Sequence, residues 1–254
     1  MKKGFVTFVN RSEKYQKLHD LLIESILTFT DYNVEVCGIN CLLNHSSNRV
    51  INKTITLENE CRDTIFYAKI YSSYISEFDI GLQLDSDMIV TPSVIDLFEE
   101  IQPEYSFIKG SLHPWNGLEP AHIAIMNKLG AKQKSQPYIH ATYLFTKNSK
   151  DFLKEAYDIG MNFFKSGISP INYDETVLNT LLWKNNVNDA NVVCYDPYFE
   201  YFKKHLGMPT NEDVSKPYGD EANFLVRYLI CHGCKNIEDA QRIYANLLKK
   251  GYVK

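Results

Sequence analysis

The sequence predicts an α/β protein: a mainly parallel, twisted sheet with helices on both faces. Three observations carry this reading. Short apolar, β-branched runs alternate with longer segments of helical spacing, the order that βαβ units produce. The runs are apolar along their length, as strands covered on both faces are. The 254 residues, 44% hydrophobic and 23% charged, suit one domain spanning 1–254 with a substantial core.

Residues 5–9 read as the first buried strand. Ser12 is a plausible N-cap for a helix to about residue 29, with Leu18, Leu21, Leu22, Ile26 and Phe29 at helical spacing. A second strand follows at 33–39. A helix over 63–75, with Ile65, Ala68 and Ser72 inward, leads into a third strand at 78–84. Thr91 and Pro92 start a helix carrying Val94, Ile95 and Phe98, because proline at the first helical position loses no needed hydrogen bond. Over 110–136 the pattern breaks at Pro114, Gly117, Pro120 and Gly130, which predicts an irregular segment lying over the sheet. Strand character returns at 138–146, helix at 151–164 and strand at 224–230. Asn236 caps a last helix with Glu238 and Asp239 early, Lys249 and Lys250 late, and Gly251 as its stop.

The net charge of −4 and the lack of a basic block argue against a nucleic-acid partner. The apolar run at the N-terminus is too short for a signal sequence and no later run reaches a membrane span, so the expected location is cytoplasmic. The cysteines, Cys37, Cys41, Cys61, Cys194, Cys231 and Cys234, are then expected reduced. Cys231-His232-Gly233-Cys234 is one C-x-x-C, and a structural zinc usually needs a second.

Asp85-Ser86-Asp87 carries the functional reading. Fifteen aspartates in a chain of this length give about one such triplet by chance, so context must decide. The pair follows the apolar run 80–84 and precedes Met88-Ile89-Val90. Two carboxylates beside buried apolar residues repel and lose solvation, and they need a cation or hydrogen bonds in compensation. In an open α/β sheet, ligands bind at the carboxyl ends of strands. A hard divalent ion, Mg²⁺ or Mn²⁺, takes such oxygen ligands and keeps sites for phosphate. The plain alternative is a turn capped by aspartates accepting backbone N–H bonds.

Residues 78–92, Phe-Asp-Ile-Gly-Leu-Gln-Leu-Asp-Ser-Asp-Met-Ile-Val-Thr-Pro, resemble the "vlyLDaDilv" core of GT-A glycosyltransferases. They look most like the group that contains glycogenin and the bacterial lipopolysaccharide galactosyltransferases. A Val-Thr-Phe-Val-Asn first strand, a helix bearing Lys69 before the D-x-D strand, and the stretch from Tyr173 to Asn179, similar to the group's "DQ…lN" segment, agree in order. The resemblance implies a GT-A fold and transfer of a sugar from a nucleoside-diphosphate donor, UDP-sugar favoured, to an acceptor hydroxyl, with a hexose the expected sugar and a carbohydrate, lipid-linked or protein acceptor. It further implies Mn²⁺ or Mg²⁺ on Asp85 and Asp87, with His232 as third ligand and Ser86 between them at the donor phosphates. Here His232-Gly233-Cys234-Lys235 is a compressed form of the group's H-x-x-G-x-x-K segment, without its Pro-Trp.

Read from the residues alone, His232 is equally a hydrogen-bonded histidine at a strand end. Thr7 and Asn10 end the first strand, where a GT-A enzyme holds base and ribose; loop capping explains each of them separately. Lys69 and Lys235 would add positive charge at the diphosphate, though a solvated Lys69 is the commoner outcome. Asp174 would lie near the reacting sugar, orienting the acceptor or acting as base; acids in a first helical turn are also favoured by the helix dipole alone. His140 is a weaker acceptor-side candidate, and Trp115 is a stacking platform or a core residue. The rival readings are a sugar nucleotidyltransferase, which usually carries a glycine-rich first turn that Val9-Asn10-Arg11-Ser12 lacks, and a non-catalytic binding domain on the same fold.

Overall fold

The computed structural model describes residues 1–112, 120–132, 138–169, 173–192, 230–231 and 236–249. Strand β1 (Lys3–Val9) is followed by helix α1 (Glu13–Phe29), β2 (Asn33–Ile39), β3 (Val50–Ile55), α2 (Arg62–Tyr74), β4 (Ile80–Leu84) and the short β5 (Ile89–Val90). A 3₁₀ segment (Pro92–Glu99), β6 (Ile108–Leu112), α3 (Pro120–Leu129), β7 (Ile139–Thr146), α4 (Lys150–Lys165) and α5 (Tyr173–Lys184) come next. Strand β8 (Ile230–Cys231) and α6 (Ile237–Lys249) complete the described elements.

The main sheet has the order β3-β2-β1-β4-β7-β6. β1, β2, β3 and β4 pair in parallel, and β7 runs antiparallel between β4 and β6. Strand alternation sorts the core into two faces. Phe5, Ile80, Leu82 and Leu84 pack with Leu18, Leu22 and Ile26 of α1. Val6 and Phe145 pack with Tyr67, Leu153 and Leu178 of α2, α4 and α5. Between β1 and β4 the strand order reverses direction, and such a switch point opens a crevice beyond the carboxyl ends of its two strands. Asn10 and Asp85 are the residues that follow β1 and β4. The topology thus brings the two sequence-predicted segments to one crevice.

Gly81 lets two elements of this sheet approach. It pairs with Phe145 on β7, and a Cβ there would sit 2.2 Å from the Phe145 ring.

The structure corrects the sequence reading at several points. Strand β3 was not expected, because Val-Ile-Asn-Lys-Thr-Ile is polar in the middle; at the sheet edge its centre is partly exposed while Val50 and Ile55 are buried. The segment 110–136 is not irregular throughout. It holds the end of β6 and all of α3, and the residues read as breakers delimit that helix: Pro120 is its first residue and Gly130, at φ +67°, follows its last. The expected helix after Thr91 is 3₁₀, with Val94, Leu97 and Phe98 buried. Ser12 occupies the N-cap of α1 without a side-chain capping bond. Of the strand expected at 224–230, only residue 230 lies among the described residues, in β8. Cys37, Cys41 and Cys61 are free thiols. Among the described residues no helix is long and apolar enough to cross a membrane.

Candidate active site

Alternation along β4 directs Gly81 and Gln83 to the α2 side of the sheet and leaves Asp85 at the strand's end, where the chain turns through Ser86 and Asp87. Met88 tucks under this turn. Its thioether lies 3.4 Å from the Asp85 amide N and 3.7 Å from Thr142 Oγ1, and it joins the α1-side core with Ile89 and Val90. The apolar residues after the motif anchor the turn, while Asp85 and Asp87 stay partly exposed and Ser86 is buried.

Lys69 is buried completely, not solvated. Its Nζ lies 2.5 Å from Asp85 Oδ1 and 3.3 Å from Asp174 Oδ2. Burial by itself would lower the lysine pKa; the Asp174 and Asp85 carboxylates outweigh it and hold the ammonium above its ordinary value. Asp174 is 2% exposed. Burial pushes its carboxyl from 3.8 up to about 6, Lys69 opposes the rise, and the Asp85 charge adds to it. Two carboxylates, Asp85 and Asp174, therefore share the Lys69 ammonium, and Asp87 follows Asp85 by two residues in the same turn.

Helix α5 is held so that Asp174, in its first turn, meets α2. The Tyr173 ring stacks on Phe66 at 4.9 Å, and the Arg62 guanidinium lies 5.0 Å over the same ring. Asn179 Nδ2 donates to the Ile139 carbonyl at 2.8 Å, and its Oδ1 accepts from the Ile139 amide at 2.7 Å, fastening α5 to β7. Beneath Lys69 runs a buried polar network that the sequence reading missed. Tyr143 donates to Ser73 Oγ at 3.1 Å, and Ser73 and Ser72 donate to Gln83 Oε1 at 2.6 and 3.1 Å. The signal was available: a glutamine inside the otherwise apolar Ile-Gly-Leu-Gln-Leu is a buried polar group that must find partners.

The remaining expected residues divide. Thr7 pairs in register with Leu84 and faces the α1 side with it, so it lies across the sheet from Lys69. It is fully buried, and its hydroxyl has no partner among the described residues. Asn10 lies at the crevice, where its Oδ1 accepts from the Ser12 amide at 3.1 Å and shapes the turn into α1. His232 and Lys235 lie outside the described residues, as do Cys234 and Trp115; the side chain of His140 does too. Cys231, the residue before His232, pairs with Ile89, two residues beyond Asp87.

Three comparisons bear on this arrangement. No protein-family model matches the sequence, and no curated protein matches it significantly. The galactosyltransferase LgtC, solved in complex with donor and acceptor sugar analogs, superposes with a TM-score of 0.61 over 98% of this chain and 100% of that one, at 13% identity. The chain has the GT-A fold. An active-site mutant of LgtC gives the same picture, with a TM-score of 0.59 over 97% of this chain and 95% of that one, again at 13% identity. The GT-A frame accounts for the parallel β3-β2-β1-β4 half of the sheet, the antiparallel β7 and the crevice at the switch point.

Proposed function

We propose that the chain, as one domain over 1–254, is a metal-dependent glycosyltransferase that moves a hexose from a UDP-sugar to an acceptor hydroxyl. The observation that carries the proposal is the Asp85–Lys69–Asp174 cluster at the carboxyl end of β4, beside the switch point of a GT-A fold.

The donor set fits a hard divalent ion. Asp85 and Asp87 offer carboxylate oxygens from one turn, and Lys69 lies against Oδ1 of Asp85. Asp85, Asp87 and His232 would hold Mn²⁺ or Mg²⁺, which when bound supplies a Lewis acid for the departing diphosphate. The backbone and hydroxyl of Ser86 lie between the two ligands. Lys69 fixes the Asp85 carboxylate and, through it, the orientation of the turn; Lys69 and Lys235 set positive charge at the diphosphate side. Asn10, with Thr7 buried beneath it, belongs to the base and ribose end of the crevice. Asp174 faces the reacting sugar and is held by Lys69 in its ionised form at neutral pH, where it orients the acceptor hydroxyl or takes its proton.

The test is a panel of UDP- and GDP-sugars with Mn²⁺ and released nucleoside diphosphate as the readout. A transferase releases the diphosphate, through slow hydrolysis even without acceptor. Release from none of the donors, or turnover only with a sugar phosphate and a nucleoside triphosphate, contradicts the proposal.

A further inference from the structure

Away from the crevice, helix α1 and the loop over 40–49 that follows β2 bring together a second cluster of ligand-type side chains. One ligand atom each from His19, Asp20 and His45 lies within 4.8 Å of the other two. The His19 and His45 rings are 6.0 Å apart, and His45 Nε2 is 4.0 Å from Asp20 Oδ1. His19 is the unusual member. It is 1% exposed, and neither ring nitrogen has a hydrogen-bond partner among the described residues. Both polar atoms of a buried imidazole left unsatisfied carry a desolvation cost that a ligand to either nitrogen would remove.

The surroundings hold the cluster in place. The Asn52 side chain clamps His45, with Oδ1 accepting from the His45 amide at 3.3 Å and Nδ2 donating to the His45 carbonyl at 3.2 Å. Arg49, at the end of the same loop, donates to the Thr30 carbonyl at 2.6 Å and to the Leu27 carbonyl, tying the loop to the C-terminal end of α1. Burial holds the His19 imidazole neutral, the state a metal ligand needs, with its pKa down at about 3 and the nearby His45 adding to the shift. Asp20 is exposed and His45 partly so, which leaves the cluster open to water on one side.

We propose that His19, Asp20 and His45 form a divalent-metal site for a borderline ion such as Zn²⁺, completed by water, that pins the loop over 40–49 onto α1. Two imidazoles and a carboxylate are a zinc donor set, whereas the carboxylates at Asp85 and Asp87 suit harder ions. Tetrahedral zinc sets its ligand atoms about 3.3 Å apart, given metal–ligand bonds of about 2.0–2.1 Å. The observed spacings, 4.0 Å from His45 Nε2 to Asp20 Oδ1 and up to 4.8 Å within the cluster, are wider, so metal binding requires the exposed Asp20 and the partly exposed His45 to turn inward.

The inference is independent of the transferase reading, and its test needs no turnover. Zn²⁺ alone is titrated into the full chain by calorimetry and by competition with a chromogenic chelator, and melting is followed in parallel. The wild type binds one zinc at this site, and its melting temperature rises by roughly 5–10 °C with zinc at about 100 times Kd. His45→Ala and His19→Leu weaken that binding by at least about 100-fold, since loss of an outer partner alone costs about 10–100-fold, and both lose the thermal shift. His19→Leu folds because His19 makes no hydrogen bond among the described residues, and His45→Ala serves as the second, less buried variant. The double variants Asp85→Asn/Asp87→Asn and Cys231→Ser/Cys234→Ser keep the zinc. Undiminished binding in both histidine variants, loss of the zinc in either double variant, or no zinc bound to the wild type overturns the proposal.

Discussion

Replacing Asp174 by asparagine should stabilise the metal-free protein at neutral pH and leave its stability nearly unchanged in acid. Asp174 is buried beside Lys69, and its carboxyl is raised from 3.8 to about 6 chiefly by lost solvation. A raised acid binds its proton more tightly in the folded state. Below pH 3.8 it is protonated in both states and costs nothing. As pH climbs from 3.8 to about 6 the unfolded chain ionises first, and the folded form loses relative stability. Above about 6 the loss is complete, and the gap at ~1.36 kcal/mol per pH unit makes it about 3 kcal/mol. Asparagine has no such titration, and Lys69 keeps its 2.5 Å contact with Asp85. Urea unfolding of both proteins with EDTA present, from about pH 3.5 to about pH 7, should show the variant's advantage growing by about 3 kcal/mol, mostly between pH 4 and 6. Parallel stability curves across that range would refute the reasoning, because the Asp174 carboxyl would then titrate alike in both states.

Lys69→Met removes the cation shared by two carboxylates, so it should destabilise the fold by about 3–5 kcal/mol at pH 8, with a smaller penalty at pH 5 where Asp174 takes up a proton; equal loss at both pH values in urea unfolding would disprove the coupling. Gly81→Ala drives a methyl into the Phe145 ring and should cost about 1–3 kcal/mol. Adding Phe145→Leu should return part of that loss, and an unaltered unfolding midpoint for the single variant would show the ring free to move.

Where side-chain period and chain punctuation agreed, the fold was legible in the sequence. Residues 33–39 and 138–146 read as strands, and β2 and β7 fall at Asn33–Ile39 and Ile139–Thr146. Strand β3 escaped because an edge strand needs fewer apolar positions, and α3 because its proline and glycine were read as breaks instead of ends. The Asp85–Asp87 turn stood out by its apolar flanks. What joins it did not: Lys69 lies on α2 and Asp174 on α5, and tertiary packing, Phe66 on Tyr173 and Asn179 on Ile139 among it, sets them face to face. Base rates for lysine favoured a solvated side chain, since a buried lysine is rare without paired carboxylates and pairing cannot be seen along the chain. His19 sits at an ordinary position in an amphipathic helix, and nothing in its neighbours signals that both ring nitrogens are buried without partners among the described residues.

The central claim is that Asp85 and Asp87 hold a donor diphosphate through a divalent ion. Calorimetric titration of UDP into the wild type and into Asp87→Asn, each with Mn²⁺ and each with EDTA, tests it directly. Binding should be strong only for the wild type with Mn²⁺, and at least about 100-fold weaker in the other three cases. Asp87→Asn should keep its metal-free stability within about 0.5 kcal/mol, as a partly exposed site allows. Equal UDP affinity in all four titrations, with the variant folded, would contradict the account.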